Sequence, residues 1–469
     1  MQVTSMFFKQ TASLKLNDAV LQTAMKKAKG KFVDGRAASV ATIDNWEDIR
    51  SHAAALRDRV INNLDAYLLE FEKNATRRGA VVHWAETAAE ANAIIVEIAR
   101  SNAVKTVTKS KSMVSEEVSL NDALDAAGVK VLETDLGEYI LQLAKEPPSH
   151  IVAPAVHKSK EQVAQLFVDA HHRPRLSDIS AMTREAREVL RGHFLAADMG
   201  ISGANFVIAE TGTTLTVTNE GNADMVTTIP RIHCVITGIE KVIPTLEDFA
   251  TLIRLLPRSA IGQSIANYLT LTTGVKAPDE VEGPEQMHIV LVDAGRTKLV
   301  GGEMKDMLRC IRCGACMNHC PVYQNVGGHA YGWVYPGPMG SVLTPSYVGI
   351  ENAGDLPNAA TFCGECQVVC PVKIPLPDLM RKLREQQFDR KLRPWSERWA
   401  LKAWSFAVMR PGLYAMLAAL GARIASWLGG RDKLIHRLPG IDGWTDGRDM
   451  PAPQGKTFRA LYAAERGRK

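Results

Sequence analysis

Seven of the eight cysteines in this 469-residue chain lie between positions 310 and 370, in two runs that each end on proline. The first is Cys310-x2-Cys313-x2-Cys316-x3-Cys320-Pro321, and the second is Cys363-x2-Cys366-x3-Cys370-Pro371. No other feature restricts the fold so strongly. This is the bacterial ferredoxin run, in which three closely spaced thiolates grip one cluster and the fourth cysteine leaves the turn to ligate its neighbour. Thiolates suit iron because they are soft, anionic donors. Structural zinc also uses CxxC pairs, but as four ligands in two pairs. Seven cysteines in two proline-terminated runs do not divide that way.

The crossover rule gives two ligand sets. Cys310, Cys313, Cys316 and Cys370 make a complete set for a first, 4Fe–4S cluster. Cys320, Cys363 and Cys366 offer a second cluster only three thiolates, because Ala360 stands where the second run would begin. One iron there takes a non-cysteine fourth ligand, leaving a 4Fe–4S cluster, or is lost to leave 3Fe–4S. His329 and Cys234 are conceivable fourth ligands without supporting spacing. Cys234 lies in an apolar, strand-like run and reads better as a small buried hydrophobe.

At this length two or three domains are expected. Residues 1–65 read as a helical arm, and Asn45 to Asn74 repeats apolar residues at helical spacing. From about Gly79 short apolar strands alternate with helices. Strands are expected at Val81-Val82, Val104–Thr108, Val129–Leu132, His150–Ala153, Phe206–Ala209, Leu215–Thr218, His233–Thr237 and His288–Val292. Helices are expected at Glu86–Arg100, Ser115–Ala127, Leu136–Ala144 and Thr245–Leu256. Such alternation predicts an α/β domain with a largely parallel sheet over 66–300. The alternation ends beyond Gly301, and the two-cluster region, mainly helical, is expected over 301–393, with an ordered Gly/Pro/Tyr-rich loop at Gly327–Gly340, followed by a helical tail over 394–469.

Nucleotide, nicotinamide and flavin fingerprints are missing, as are HExxH and GxSxG. Lys109 and Lys111 are two apart and could hold an anion, but a solvated strand end is the preferred reading. Glu133, Asp135 and Glu138 could supply a carboxylate pair, with helix capping the expected role of Asp135.

Within these segments the chain resembles the lactate utilization protein B family, the iron–sulfur member of a three-protein L-lactate oxidation system. The resemblance rests on Lys-Ser-Lys-Ser-Met-Val-Ser-Glu-Glu (109–117), Glu-Thr-Asp-Leu-Gly-Glu-Tyr-Ile (133–140) and Pro-Ser-His-Ile-Val-Ala-Pro-Ala-Val-His (148–157). Glu-Thr-Gly-Thr (210–213), Leu-Pro-Arg-Ser-Ala-Ile-Gly-Gln (256–263), Tyr-Pro-Gly-Pro-Met-Gly and both cysteine runs add to it. It implies a LUD domain, similar in fold to CoA-transferase and ribose-5-phosphate-isomerase-like domains. It also implies two 4Fe–4S clusters in a helical ferredoxin domain, companion lactate-utilization proteins A and C, and electron transfer rather than substrate chemistry on this chain. Two rivals differ in class: a non-redox enzyme working at the open iron, and a cluster-braced scaffold for partner subunits.

The formal net charge of +5 is unevenly spread. Residues 381–469 hold 19 Lys+Arg against 8 Asp+Glu, a net +11, which leaves −6 on the rest. Trp395, Trp399, Trp404, Trp427 and Trp444 fall in this tail; Ser396 is expected to cap one helix there and Pro411 to start another. A basic, Trp-rich hairpin suits a protein partner or a membrane surface, and docking to a protein is the preferred expectation. No nucleic-acid role is expected. The stretch Pro411–Leu428 is interrupted by Arg423 and is shorter than the roughly 20 apolar residues of a spanning helix. With no signal-like start and clustered thiols, the chain is expected in the cytoplasm, with the tail open to contact the inner face of the membrane. The electron acceptor is not readable.

Overall fold

Ten short strands precede the cysteine region among the described residues: β1 (Ala80–Ala85), β2 (Thr106–Lys109), β3 (Lys130–Glu133), β4 (Met199–Gly203), β5 (Phe206–Ile208), β6 (Thr213–Thr218), β7 (Ile232–Gly238), β8 (Val242–Ile243), β9 (Tyr268–Thr272) and β10 (Gln286–Val292). The structure is a computed structural model describing residues 2–438, 445 and 448–467. It divides into two units, Met1–Gln387 and Phe388–Lys469.

In the first unit, six strands form one sheet in the order β1-β10-β7-β4-β2-β3, every pairing parallel. β7 is buried along its whole length, as a parallel sheet covered on both faces requires. Cys234 and Ile236 point to the face packed by Ala91, Ile95, Leu120 and Leu124, whereas Val235 joins Leu56, Val60 and Phe71 on the other. After β2 the chain runs outward to β3 and then returns to place β4 on the opposite side of β2. Such a reversal opens a crevice at the carboxyl ends of the two strands. A second sheet, β8-β5-β6-β9, is mixed: β5 pairs parallel with β8 and antiparallel with β6, which pairs antiparallel with β9.

The α/β architecture is the one expected, and several elements differ in detail. His150–Ala153 is not a strand but a chain of bends, closed where His150 Nδ1 accepts the N–H groups of Val152 and Ala153 at 3.0 Å. The expected helix Ser115–Ala127 is two helices, Met113–Glu117 and Leu120–Ala126, broken where Ser119 turns left-handed at φ 57°. The long N-terminal periodicity is likewise two helices, Trp46–Asn62 and Leu64–Arg77. β4 and β9 were not expected at all. Asp135 caps the helix Leu136–Ala144, accepting the Glu138 N–H at 3.1 Å.

The cysteine region is built of short helices: Ala315–Asn318, Pro321–Val326, Gly337–Val348, Glu365–Val368 and Leu376–Asp389. Its buried residues (Met307, Met317, Tyr331 and Leu379 among them) belong to the same continuous core as Leu56, Val235 and Ile289. The Gly327–Gly340 segment is ordered, with Tyr331, Trp333 and Tyr335 buried. One continuous core therefore packs the cysteine region against the parallel sheet.

The second unit contains the helices Trp395–Val408 and Pro411–Leu428 and a two-stranded ladder, Leu434–Ile435 with Met450–Pro451. Ser396 does not cap the first helix; Pro394 holds the N-cap position, and Ser396 is already inside the first turn. Pro411 begins the second helix as expected. Neither helix buries a residue, and Trp395 and Trp427 are 70% and 79% exposed. Trp444 lies outside the described residues. No single described helix is long and apolar enough to cross a membrane; the two tail helices meet that test only as a pair bent by 113°.

Candidate metal centre

The two cysteine runs correspond position by position at a constant interval of fifty: Cys313 with Cys363, Cys316 with Cys366, Cys320 with Cys370. The backbone repeats with them. Arg312 and Phe362 both hold φ 57°, and Gly314 and Gly364 hold φ 80° and 84°. Four-residue helices, Ala315–Asn318 and Glu365–Val368, follow. Left-handed residues on either side of Cys313 and Cys363 fold the chain tightly around each thiol, and glycine takes that conformation without a Cβ penalty.

Cys310, Cys313, Cys316 and Cys370 line one narrow cavity, walled by Met307, Ile311, Met339 and Val372. The backbone N–H groups of Arg312 and Ile374 donate to the sulfurs of Cys310 and Cys370, each at 3.4 Å. Burial, reinforced by the neighbouring thiols, pushes Cys313 and Cys316 up in pKa, and burial takes Cys370 up to about 11. Cys320, Cys363 and Cys366 adjoin one another in a second group. Burial and then Cys320 and Cys363 push Cys366 up to about 12. Cys316 also feels Cys366, so the groups are neighbours, and Cys363 is the one exposed thiol. Thiols crowded and buried in this way keep their protons unless a cation replaces them. Soft donors, apolar walls and N–H groups aimed at sulfur fit an iron–sulfur cluster.

Neither outlying fourth-ligand candidate stands with these thiols in its contacts. His329 Nε2 meets the Pro147 carbonyl at 2.8 Å, and its ring packs against His157, with centroids 4.5 Å apart. Cys234 is fully buried within β7, its thiol pushed up to about 12 by burial.

Three arginines from the N-terminal helices clamp the cysteine backbone, and sequence reasoning missed all three. Arg50 donates through Nε and Nη2 to the Cys370 carbonyl at 3.0 and 2.6 Å, and through Nη2 to Val368 at 2.7 Å. Arg36 reaches the Val369 carbonyl at 3.1 Å. Arg57, fully buried, donates to the carbonyls of Leu308 and Val242 at 3.1 Å and to that of Glu240. It thereby ties the approach to Cys310 to the end of β7.

Glu240 is the hub of this junction. Its carboxylate accepts from Arg296 Nε at 2.6 Å and stands 3.4 Å from Arg312 Nη2. Arg296 also forks onto Glu117 at 2.8 and 2.9 Å, and the Tyr335 hydroxyl donates to Glu117 at 2.5 Å. Arg312 stacks over the Tyr335 ring at 4.8 Å. Burial alone would raise the Glu240 carboxyl, but Arg296, Lys241 and Arg312 outweigh it and hold the group near about 2.

The Lys109–Lys111 pair is corrected. Lys109 is fully buried, not solvated: Nζ pairs with Glu133 at 2.9 Å and Glu116 at 3.0 Å and donates to Ser115 Oγ at 3.0 Å. Burial lowers its pKa, yet Glu133 and Glu116 reverse the sign. Glu138 is buried beside them, and burial followed by Glu133 raises it well above the usual carboxylate range. Lys111 diverges from Lys109 and lines a different cavity, at the carboxyl ends of β2 and β4.

Three family models match the chain in succession: the LUD domain over 68–292, a 4Fe–4S dicluster domain over 306–374, and the lactate utilisation protein B C-terminal region over 379–467. The dicluster match and the clustered cysteines imply two iron–sulfur clusters. "Lactate utilization protein B" of Lysinibacillus sphaericus is 42% identical, over 98% of this chain and 97% of its own. Its counterpart in an Exiguobacterium species is 43% identical over 95% of each chain. An "uncharacterized electron transport protein YkgF" of Escherichia coli is 40% identical, over 97% of this chain and 96% of its own. A solved DUF162 family structure from Deinococcus radiodurans is 16% identical, covers 49% of this chain and 98% of its own, and superposes with a TM-score of only 0.27. Full-length identity above 40% to proteins of one name, with all three regions in order, places the chain in one family: it belongs to the lactate utilization protein B family.

Proposed function

We propose that this chain is the iron–sulfur electron-transfer component of a cytoplasmic assembly that oxidises L-lactate to pyruvate. Lactate loses two electrons and two protons in becoming pyruvate, and an oxidised quinone is the class of acceptor that takes up two of each. When bound, iron–sulfur clusters supply one-electron carriage over a wide span of potential. Cys310, Cys313, Cys316 and Cys370 would hold a 4Fe–4S cluster. Cys320, Cys363 and Cys366 would hold the second, with one iron lacking a thiolate. The single observation that carries the reading is the approach of two thiol groups, each drawn from both runs, within one continuous core.

The chain's own residues do the rest of the work. Arg50, Arg36 and Arg57 fix the backbone on both sides of the thiols, so their positions need not reorganise when charge arrives. The apolar walls exclude water from the first site. Cys363, exposed, marks the end at which electrons cross to a partner. Companion lactate-utilization proteins A and C are the expected partners, and the exposed tryptophans of the basic tail supply a docking face for them.

Anaerobic protein mixed with L-lactate tests this reading. Cluster bleaching in the visible spectrum is expected with both companions present and re-oxidation on adding a quinone. Clusters that stay indifferent to lactate and quinone in the complete mixture would reduce the role to bracing.

A further inference from the structure

A cavity of about 310 Å3 opens where the parallel sheet reverses direction, at the carboxyl ends of β2 and β4. That position and that size are those of ligand sites in open α/β sheets, which run from about 300 Å3 upward. Its far wall is not part of the α/β domain at all: Arg312, Cys313 and Tyr335 come from the cysteine region. The cavity therefore lies between the sheet and the first thiol group, inside one compact unit.

Its lining brings Lys111, Lys241 and Arg312 together with two acids. Lys241, only 6% exposed, lines it and makes no hydrogen bond among the described residues. It shares the charge of Glu240 with Arg312, and burial followed by Arg312 brings it down to about 7, so an anion beside it would favour its protonated form. Arg312 is 8% exposed at its side chain; Nη2 faces Glu240, but Nη1 is buried with no partner. Lys111 is a third basic residue on the lining. The two acids on the lining, Asp135 and Glu220, accept the N–H groups of Glu138 and Leu136 at 3.1 and 3.3 Å, and Lys111 offsets the charge of Glu220. Asn222 Oδ1, also on the lining, is a buried acceptor without a donor. Buried polar groups are normally satisfied, so an unmatched guanidinium N–H and an unmatched carbonyl in one cavity, beside a lysine that donates no hydrogen bond, describe the kind of molecule that would fit. It carries an anionic oxygen group and a donor.

We propose that this cavity binds a small organic carboxylate of the 2-hydroxy or 2-oxo acid class, its carboxylate received by Lys241 and Arg312 beside Cys313. The choice of acid rests on the lactate reading above; the anion site itself does not. The consequence is that the acid sits on this chain, next to the first thiol group, and not solely on a companion. Leu256, Pro257 and Ile261 give the remaining wall an apolar face suited to a short carbon chain.

Calorimetric titration of the anaerobic, cluster-loaded full chain with L-lactate, pyruvate and, as a control, inorganic phosphate tests this directly. Saturable binding of L-lactate or pyruvate is expected, weakened about tenfold or more by Lys241→Met, the usual scale for a lost charged hydrogen bond. Lys111→Met, at a less buried position, is expected to weaken binding by a smaller factor, and it keeps the test alive should Lys241→Met fail to fold. Binding of phosphate alone would overturn the choice of a carboxylate. No binding of any probe by protein with intact cluster absorbance would overturn the site, and would mean that the two cations serve the neighbouring thiols only. Cluster content is read on the same samples, so loss of the electron-transfer reading and loss of this one are told apart.

Discussion

Cys370→Ser is expected to abolish the first cluster, although residue 370 lies 60 positions from Cys310, the start of the run it completes. The reason is geometric. Cys370 shares the apolar cavity of Cys310, Cys313 and Cys316, and its carbonyl is gripped by Arg50 from the N-terminal helix. A serine hydroxyl is a harder, protonated donor and a poor substitute for a thiolate on iron. Anaerobic paramagnetic resonance after dithionite reduction should lose the signal of the complete four-thiolate cluster and the magnetic coupling between two centres. Cys363→Ser is the counterpart. It should remove the other signal and leave the first intact. If Cys370→Ser instead removed the signal that Cys363→Ser removes, the crossed assignment would be wrong and each run would serve its own cluster.

Glu240→Gln is expected to destabilise the first unit by about 3–5 kcal/mol, the range seen when one partner of a buried ion pair is removed. The amide keeps the size of the carboxylate but leaves Arg296, Arg312 and Lys241 with one counter-charge fewer in a site where water cannot compensate. Urea denaturation at neutral pH measures the difference. Acid should narrow it. The Glu240 carboxyl is held near about 2 when folded and returns to its ordinary value of 4.5 on unfolding. Its contribution is therefore fully present above that ordinary value and is lost as pH falls from there toward about 2. The gap between the two proteins should shrink between pH 7 and about pH 3; a gap independent of pH would assign the effect to packing rather than charge.

What the sequence discloses is set by the range of the interaction involved. Thiol spacing is a local property, so both cysteine runs, and the alanine at 360 where the second might have begun, are legible without a structure. The strongly apolar strands β7 and β10 are legible for the same reason: parallel strands covered on both faces must be apolar throughout. β4 escapes because Met-Gly-Ile-Ser-Gly is too rich in glycine to look like a strand. Its glycine is demanded from outside, since a Cβ on Gly200 would stand 1.9 Å from the Val226 carbonyl. His150–Ala153 deceives in the opposite direction. Its apolar residues serve tertiary packing, with Ile151 in the main core, while His150 bonds Asn318 at 2.9 Å. Lys109 looks solvated because its carboxylate partners stand 7 and 24 residues further along the chain. Arg50 and Arg57, spaced like any solvated helix face, carry no local sign that they clamp backbone some 250 to 320 residues away.

The account rests on thiols from two stretches of chain holding a pair of iron–sulfur clusters. Protein isolated and kept without oxygen, analysed for iron and acid-labile sulfide and examined by Mössbauer spectroscopy, tests it most directly. The account predicts two clusters per chain, one with four iron sites in uniform sulfur ligation and one with a distinguishable or missing iron. Protein lacking sulfide, with another metal bound to the same thiols, would contradict it.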